Sequence, residues 1–178
     1  MMSLMYRAWV TGHPAVDLDR GAETQIESHI AALAGHHGSH LRNRDSMPDL
    51  SKRHFAGHLG QATKNPEGLV AMLSAFFSAE VKMQEFVGCW LELEPDDQWQ
   101  LGAAGGLGQT TSIGTQVWSR TSKFRLRIGP VKLDEYERLL PGSESINKLA
   151  SIVRSYVGDA LDWDVNIVLK KDDVPPAI

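Results

Sequence analysis

The chain has 178 residues, 42% of them hydrophobic and 22% charged, enough for one domain with its own core, which excludes wholesale disorder. A net charge of −4 offers no global basic field to nucleic acid or anionic lipid. A single cysteine, Cys89, excludes an internal disulfide, and no apolar run approaches the ~20 residues that cross a bilayer.

Met1 to Arg7 has no basic stretch followed by an apolar one and does not read as a signal peptide. Residues 6–20, punctuated by Trp9, Gly12 and Pro14, read as an extended entry segment. Ile26, Ile30 and Leu33 recur at helical spacing and predict a short amphipathic helix over 21–34, ended by the loop that starts Gly35-His36-His37-Gly38 and runs to Pro48. A second helix begins near Asp49 or Ser51, carrying Phe55 and Leu59 inward, and a third follows Asn65-Pro66 with Leu69, Met72, Leu73, Phe76 and Phe77 on one face. The period then changes: Glu80 to Leu93 reads as one strand, bent at Gly88. Beyond the glycine-dense Gly102–Gly108 loop, Ile113–Trp118 and Phe124–Ile128 read as strands, the latter with Phe124, Leu126 and Ile128 on one face and Arg125 and Arg127 on the other. A short helix with Leu133, Tyr136, Leu139 and Leu140 follows Gly129-Pro130. Ser143 then caps a helix carrying Ile146, Leu149, Ile152, Val153 and Tyr156, stopped by Gly158, and Trp163, Val165, Ile167 and Leu169 alternate in a last strand.

This order predicts an α+β fold, with N-terminal helices on a small, mostly antiparallel sheet with mostly hairpin-like strand connections, and two further helices. Residues 1–48 read as an N-terminal extended segment, helix and His-rich loop, and 49–178 as the α+β core domain. By period, Phe86, Trp90, Trp118, Phe124, Leu126, Ile128 and Trp163 are expected in the core.

Chemistry is harder to find. Six of the seven histidines (His29, His36, His37, His40, His54 and His58) fall between positions 29 and 58. Imidazole suits zinc, so a metal-dependent enzyme using this region is one reading. No carboxylate completes a His-Glu-x-x-His pattern, however, and a solvated Gly/Ser loop is the plainer one. Gly102, Gly105, Gly106 and Gly108 have neither the Lys-Ser/Thr ending of a P-loop nor dinucleotide spacing. There is no Gly-x-Ser-x-Gly elbow. Asp159, Asp162 and Asp164 read as a solvated acidic edge. The basic residues Arg120, Lys123, Arg125, Arg127 and Lys132 lack stacking aromatics for nucleic acid, and suit an acidic protein partner or the acidic end of this chain. No catalytic residue, cofactor or metal ligand is expected.

Several runs occur in a fixed order: Tyr6-Arg7-Ala8-Trp9 with Asp17-Leu18-Asp19-Arg20, His54-Phe55-Ala56-Gly57, Asn65-Pro66-Glu67-Gly68-Leu69 and Glu85-Phe86-Val87-Gly88-Cys89-Trp90. Then come Gln98-Trp99-Gln100-Leu101-Gly102, Leu107-Gly108, Gly114-x-x-Val117-Trp118, Lys123-Phe124-Arg125-Leu126-Arg127-Ile128-Gly129-Pro130, Leu139-Leu140-Pro141-Gly142 and Tyr156-Val157-Gly158-x-x-Leu161-Asp162-Trp163-Asp164-Val165. With these runs the chain resembles the TssG (ImpH/VasB) family of type VI secretion baseplate proteins, in the C-terminal part of longer members. The resemblance implies a structural wedge subunit, not an enzyme. Its partners would be TssF and TssK, with TssE and the sheath in the larger assembly, and no nucleic acid. It would be cytoplasmic, at the inner face of the bacterial inner membrane and without direct membrane insertion. Gly102, Gly105, Gly106, Leu107 and Gly108 are then expected to form a partner-contact loop. A phage-tail baseplate component is the neighbouring alternative.

Overall fold

The structure, a computed structural model, describes residues 2–11, 25–98 and 114–174. Among them the chain forms α1 (Met2–Thr11), α2 (Gln25–Leu33), α3 (Asp49–His54), α4 (Ala56–Leu59), α5 (Pro66–Phe77), β1 (Val81–Gln84), β2 (Cys89–Glu92), β3 (Gln116–Ser119), β4 (Lys123–Val131), α6 (Leu133–Arg138), α7 (Glu144–Val157) and β5 (Asp162–Leu169). The fold is α+β, as the order of periodicities predicts.

β4 organises the core. Its alternation buries Phe124, Leu126 and Ile128 on one face and turns Arg127 to solvent on the other. That apolar row packs with Leu69, Met72 and Leu73 of α5 and Leu149, Ile152 and Val153 of α7. β1 joins one edge of β4 antiparallel, and β5 joins the other parallel. Parallel neighbours need a crossover, and the two helices expected from sequence between these strands, α6 and α7, supply it. Trp163 begins β5 only half-buried against the core. Trp163→Ala is therefore expected to cost about 2 kcal/mol, below the 3–5 typical of a fully buried ring. Urea denaturation measures this, and a cost near zero would place the ring outside the core.

Helix ends are fixed locally. The Asn65 side chain caps α5 by accepting from the Gly68 N–H at 2.8 Å, and Pro66 opens its first turn. Tyr156 of α7 locks the same corner: its hydroxyl donates to the Asn65 carbonyl at 3.0 Å and accepts from the Asn65 N–H at 3.2 Å. Ser143 caps α7 through the Ile146 N–H, and Gly158 ends it. At the N-terminal side α2 packs on α3 and α4, where Lys52 is buried with its ammonium 3.0 Å from both Asp45 and Asp49. Both carboxylates compensate its desolvation.

The polar face of the sheet carries one network. Arg125 and Asp164, register partners across β4 and β5, form a bidentate pair at 2.6 and 2.9 Å, and Lys123 adds a third contact at 3.0 Å. The basic row of β4 thus meets the acidic end of the same chain. The Arg125 hydrogen bonds, helped by Lys123 and opposed by burial, bring the Asp164 carboxyl from 3.8 down to about 2. A depressed carboxylate adds stability above its unfolded value and loses it as pH falls through the folded one. Between pH 4 and 2 the native chain is therefore expected to lose more urea stability than Asp164→Asn; parallel losses would sink this assignment.

Two sequence expectations are corrected. Residues 2–11 are helical, where 6–11 were expected extended: Met2, Met5, Tyr6 and Trp9 fall at i, i+3, i+4 and i+7 and make an apolar stripe. Every residue from Met2 to Trp9 is exposed among the described residues. The segment 80–93 is also two strands in two sheets, not one bent strand. The break comes two residues before Gly88, at Phe86, whose φ of 56° lies in the left-handed region. A bulky residue rarely sits there, and the conformation redirects the chain out of the sheet.

Candidate partner-binding surface

Beyond Phe86 the chain leaves the core. The Val87 N–H still donates to the Lys123 carbonyl at 3.0 Å, after which β2 pairs antiparallel with β3 in a separate two-stranded ribbon. The Leu93 N–H donates to the Thr115 carbonyl at 2.9 Å and extends the pairing toward the connection. Such a ribbon is marginal on its own in water.

Its side chains are those of a contact surface. Trp90 and Trp118 stand directly opposite each other in the register, with ring centroids 5.2 Å apart at 66°. They remain 62% and 52% exposed, and Phe86 is 65% exposed. Trp118 lies across Gly88 so closely that a Cβ there would collide with its indole, so glycine is what lets the ring lie flat on the ribbon. Phe86, Trp90 and Trp118, expected in the core by alternation, thus belong to the surface: alternation marks a face but not which body covers it. Phe124, Leu126 and Ile128 are buried and Trp163 is half-buried.

Below Phe86 runs a groove of about 390 Å³, lined chiefly by Pro66, Leu69, Phe86, Phe124, Tyr156 and Leu161. It is large enough for one or two apolar side chains, and Lys64 stands at its rim, 5.0 Å above the Tyr156 ring. Leu161, exposed in the turn before β5, was missed from sequence; an apolar residue inside a polar turn was the available signal. Exposed aromatics beside an apolar groove are the features from which interaction sites are built, which makes this patch the candidate surface. Gly102, Gly105, Gly106, Leu107 and Gly108 lie outside the described residues; in sequence they fall between β2 and β3.

His37, His54 and His36 are held by different neighbours. His37 Nδ1 lies 3.3 Å from Ser28 Oγ, and His54 packs its ring on the edge of Phe55. His36 has its pKa lowered by burial first and by Lys52 second. Among the described residues no group of three or more His, Cys, Asp or Glu could hold a metal ion. No helix among them is long and apolar enough to cross a membrane.

The family described as type VI secretion, TssG, matches residues 1–178. No curated protein matches the chain. Among solved structures, it is similar to a chain of the type VI secretion system TssK-TssF-TssG baseplate subcomplex, with a TM-score of 0.81 and 14% identity over 99% of this chain and 74% of that one. It is also similar to a chain of the baseplate complex from the type VI secretion system, with a TM-score of 0.72 and 15% identity over 99% of this chain and 52% of that one.

Proposed function

Because the chain belongs to the TssG family of type VI secretion proteins, we propose that it is a non-catalytic scaffold of the baseplate wedge, binding TssF and TssK through the β2–β3 ribbon and the groove beneath it. The observation that carries this reading is the Trp90–Trp118 pair, packed edge-to-face and exposed on a ribbon outside the core. Large aromatics in such positions anchor protein interfaces. Gly102, Gly105, Gly106, Leu107 and Gly108 join this surface in the proposal, since the segment that carries them connects the two arms of the ribbon. TssE and the sheath would be reached through the completed wedge, and the assembly would form at the inner face of the bacterial inner membrane. Co-expression with TssF and TssK tests the proposal: one co-eluting complex on a sizing column is expected, and clean separation of the three proteins would overturn it.

A further inference from the structure

β5 is the edge of its sheet, and eight residues is a long edge to leave unpaired. The Asp162 N–H donates to the Ser122 carbonyl and the Lys170 N–H to the Val131 carbonyl, both at 2.8 Å. With a strand period of two, even-numbered backbone groups face β4, and those of Trp163, Val165, Ile167 and Leu169 face away. No other strand among the described residues takes them up. A shallow groove of about 450 Å³ follows this edge, lined by Arg125, Tyr136, Asp164, Val165, Asn166 and Ile167. The side chains of Trp163, Val165 and Ile167 are only partly buried against the core, so their burial is unfinished on the same side.

We propose that this edge receives an extended segment of another protein of the assembly, which adds to the sheet as a fourth strand. Backbone donors and acceptors alternating along a strand are met best by another strand. The exposed charges at its ends specify the occupant: Asp162 calls for a cation and Lys170 for a carboxylate. Between them the occupant carries an apolar residue at every second position, against Val165 and Ile167. A second copy of this chain would satisfy those charges by antiparallel self-pairing around Asn166. Width disfavours it. α6 packs beside β5, with Tyr136 in the groove next to Val165 and Ile167. Self-pairing would bring two α6 helices, which need about 8–10 Å between axes, over strands about 4.8 Å apart. A slim segment without its own helical layer avoids that collision.

The inference rests on the scaffold reading, and hydrogen exchange on the free chain and on its co-expressed complex with TssF and TssK separates the two. In the free chain the even-numbered β5 amides exchange slowly and those of Trp163, Val165, Ile167 and Leu169 fast; in the complex all are expected to be slow. A complex in which the odd-numbered amides stay fast overturns this inference alone. No complex at all overturns the scaffold reading and this inference with it. Protection of the odd-numbered amides in the free chain, together with a dimer on sizing, would give the edge to a second copy and overturn the stated occupant. Val165→Pro deletes one outward donor and spares the ladder to β4, the edge position where proline is tolerated. It is expected to weaken capture roughly tenfold while the even-numbered β5 amides stay slow to exchange, which shows the ladder to β4 intact. Reversing the end charges with Asp162→Lys and Lys170→Glu, both exposed, is expected to weaken capture without touching the ladder; wild-type capture by both variants overturns the proposal.

Discussion

Replacing Trp90 and Trp118 together by serine is expected to weaken capture by TssF and TssK about a hundredfold or more, with a melting temperature within a few degrees of the native chain. The two rings are mostly exposed, so burial on a partner removes far more of their surface from water than folding does. Interface anchors of this kind are worth about 2 kcal/mol or more each, and two of them exceed a hundredfold in affinity. Their mutual edge-to-face contact contributes about 1 kcal/mol to the ribbon alone. The core of β4, α5 and α7 does not include the ribbon and keeps its stability. Titration of labelled complex and a thermal melt read the two quantities separately. A large drop in melting temperature with undiminished capture would show the tryptophans to be structural and sink the assignment of this surface.

Gly68→Ala is the substitution expected to harm the fold most for its size. Gly68 lies buried in the first turn of α5, where an added Cβ would collide with the Tyr156 hydroxyl and stand 2.6 Å from Asn65 Oδ1. Those two atoms belong to the corner that caps α5 and ties it to α7. The methyl group therefore overpacks the site, displaces the cap and strands a buried hydroxyl. Overpacking and a lost cap together cost about 3 kcal/mol, or about 10 °C in Tm for a chain of this length. Tyr156→Phe alone should cost about 1 kcal/mol. The double variant should lose less than the sum, because the clash is with the oxygen that Tyr156→Phe removes. Strict additivity, or a cost for Gly68→Ala below about 0.5 kcal/mol, would contradict so close an approach of α7 to α5.

The parts of the fold legible in sequence are those whose partner is the chain itself. Phe124, Leu126 and Ile128 alternate with Arg125 and Arg127 because one face of β4 meets the core and the other meets water and Asp164. α7 is legible because Ser143 and Gly158 bracket a sharply amphipathic run. The ribbon was misread for the opposite reason. Trp90 and Trp118 carry the pattern of a buried face, yet both stay mostly exposed in this chain, and alternation alone does not tell the two cases apart. Phe86 gave no warning either, since a phenylalanine in the left-handed region is a tertiary solution to a local strain. The two helices between β4 and β5 are legible in sequence and leave room for a parallel crossover, but they do not by themselves fix the direction of pairing. α1 was hidden by the Gly12 and Pro14 punctuation just beyond it, which drew the reading toward extended chain.

A ten-residue coil of α1's length cannot sustain itself in water from backbone hydrogen bonding alone, since the cost of nucleating it is recovered only over longer runs or against a neighbour. Met2, Met5 and Tyr6 are exposed along its apolar stripe, and an apolar neighbour there would supply that recovery. Helical content in the first ten residues is thus expected to follow the company this stripe keeps, and hydrogen exchange of the α1 amides would read it segment by segment.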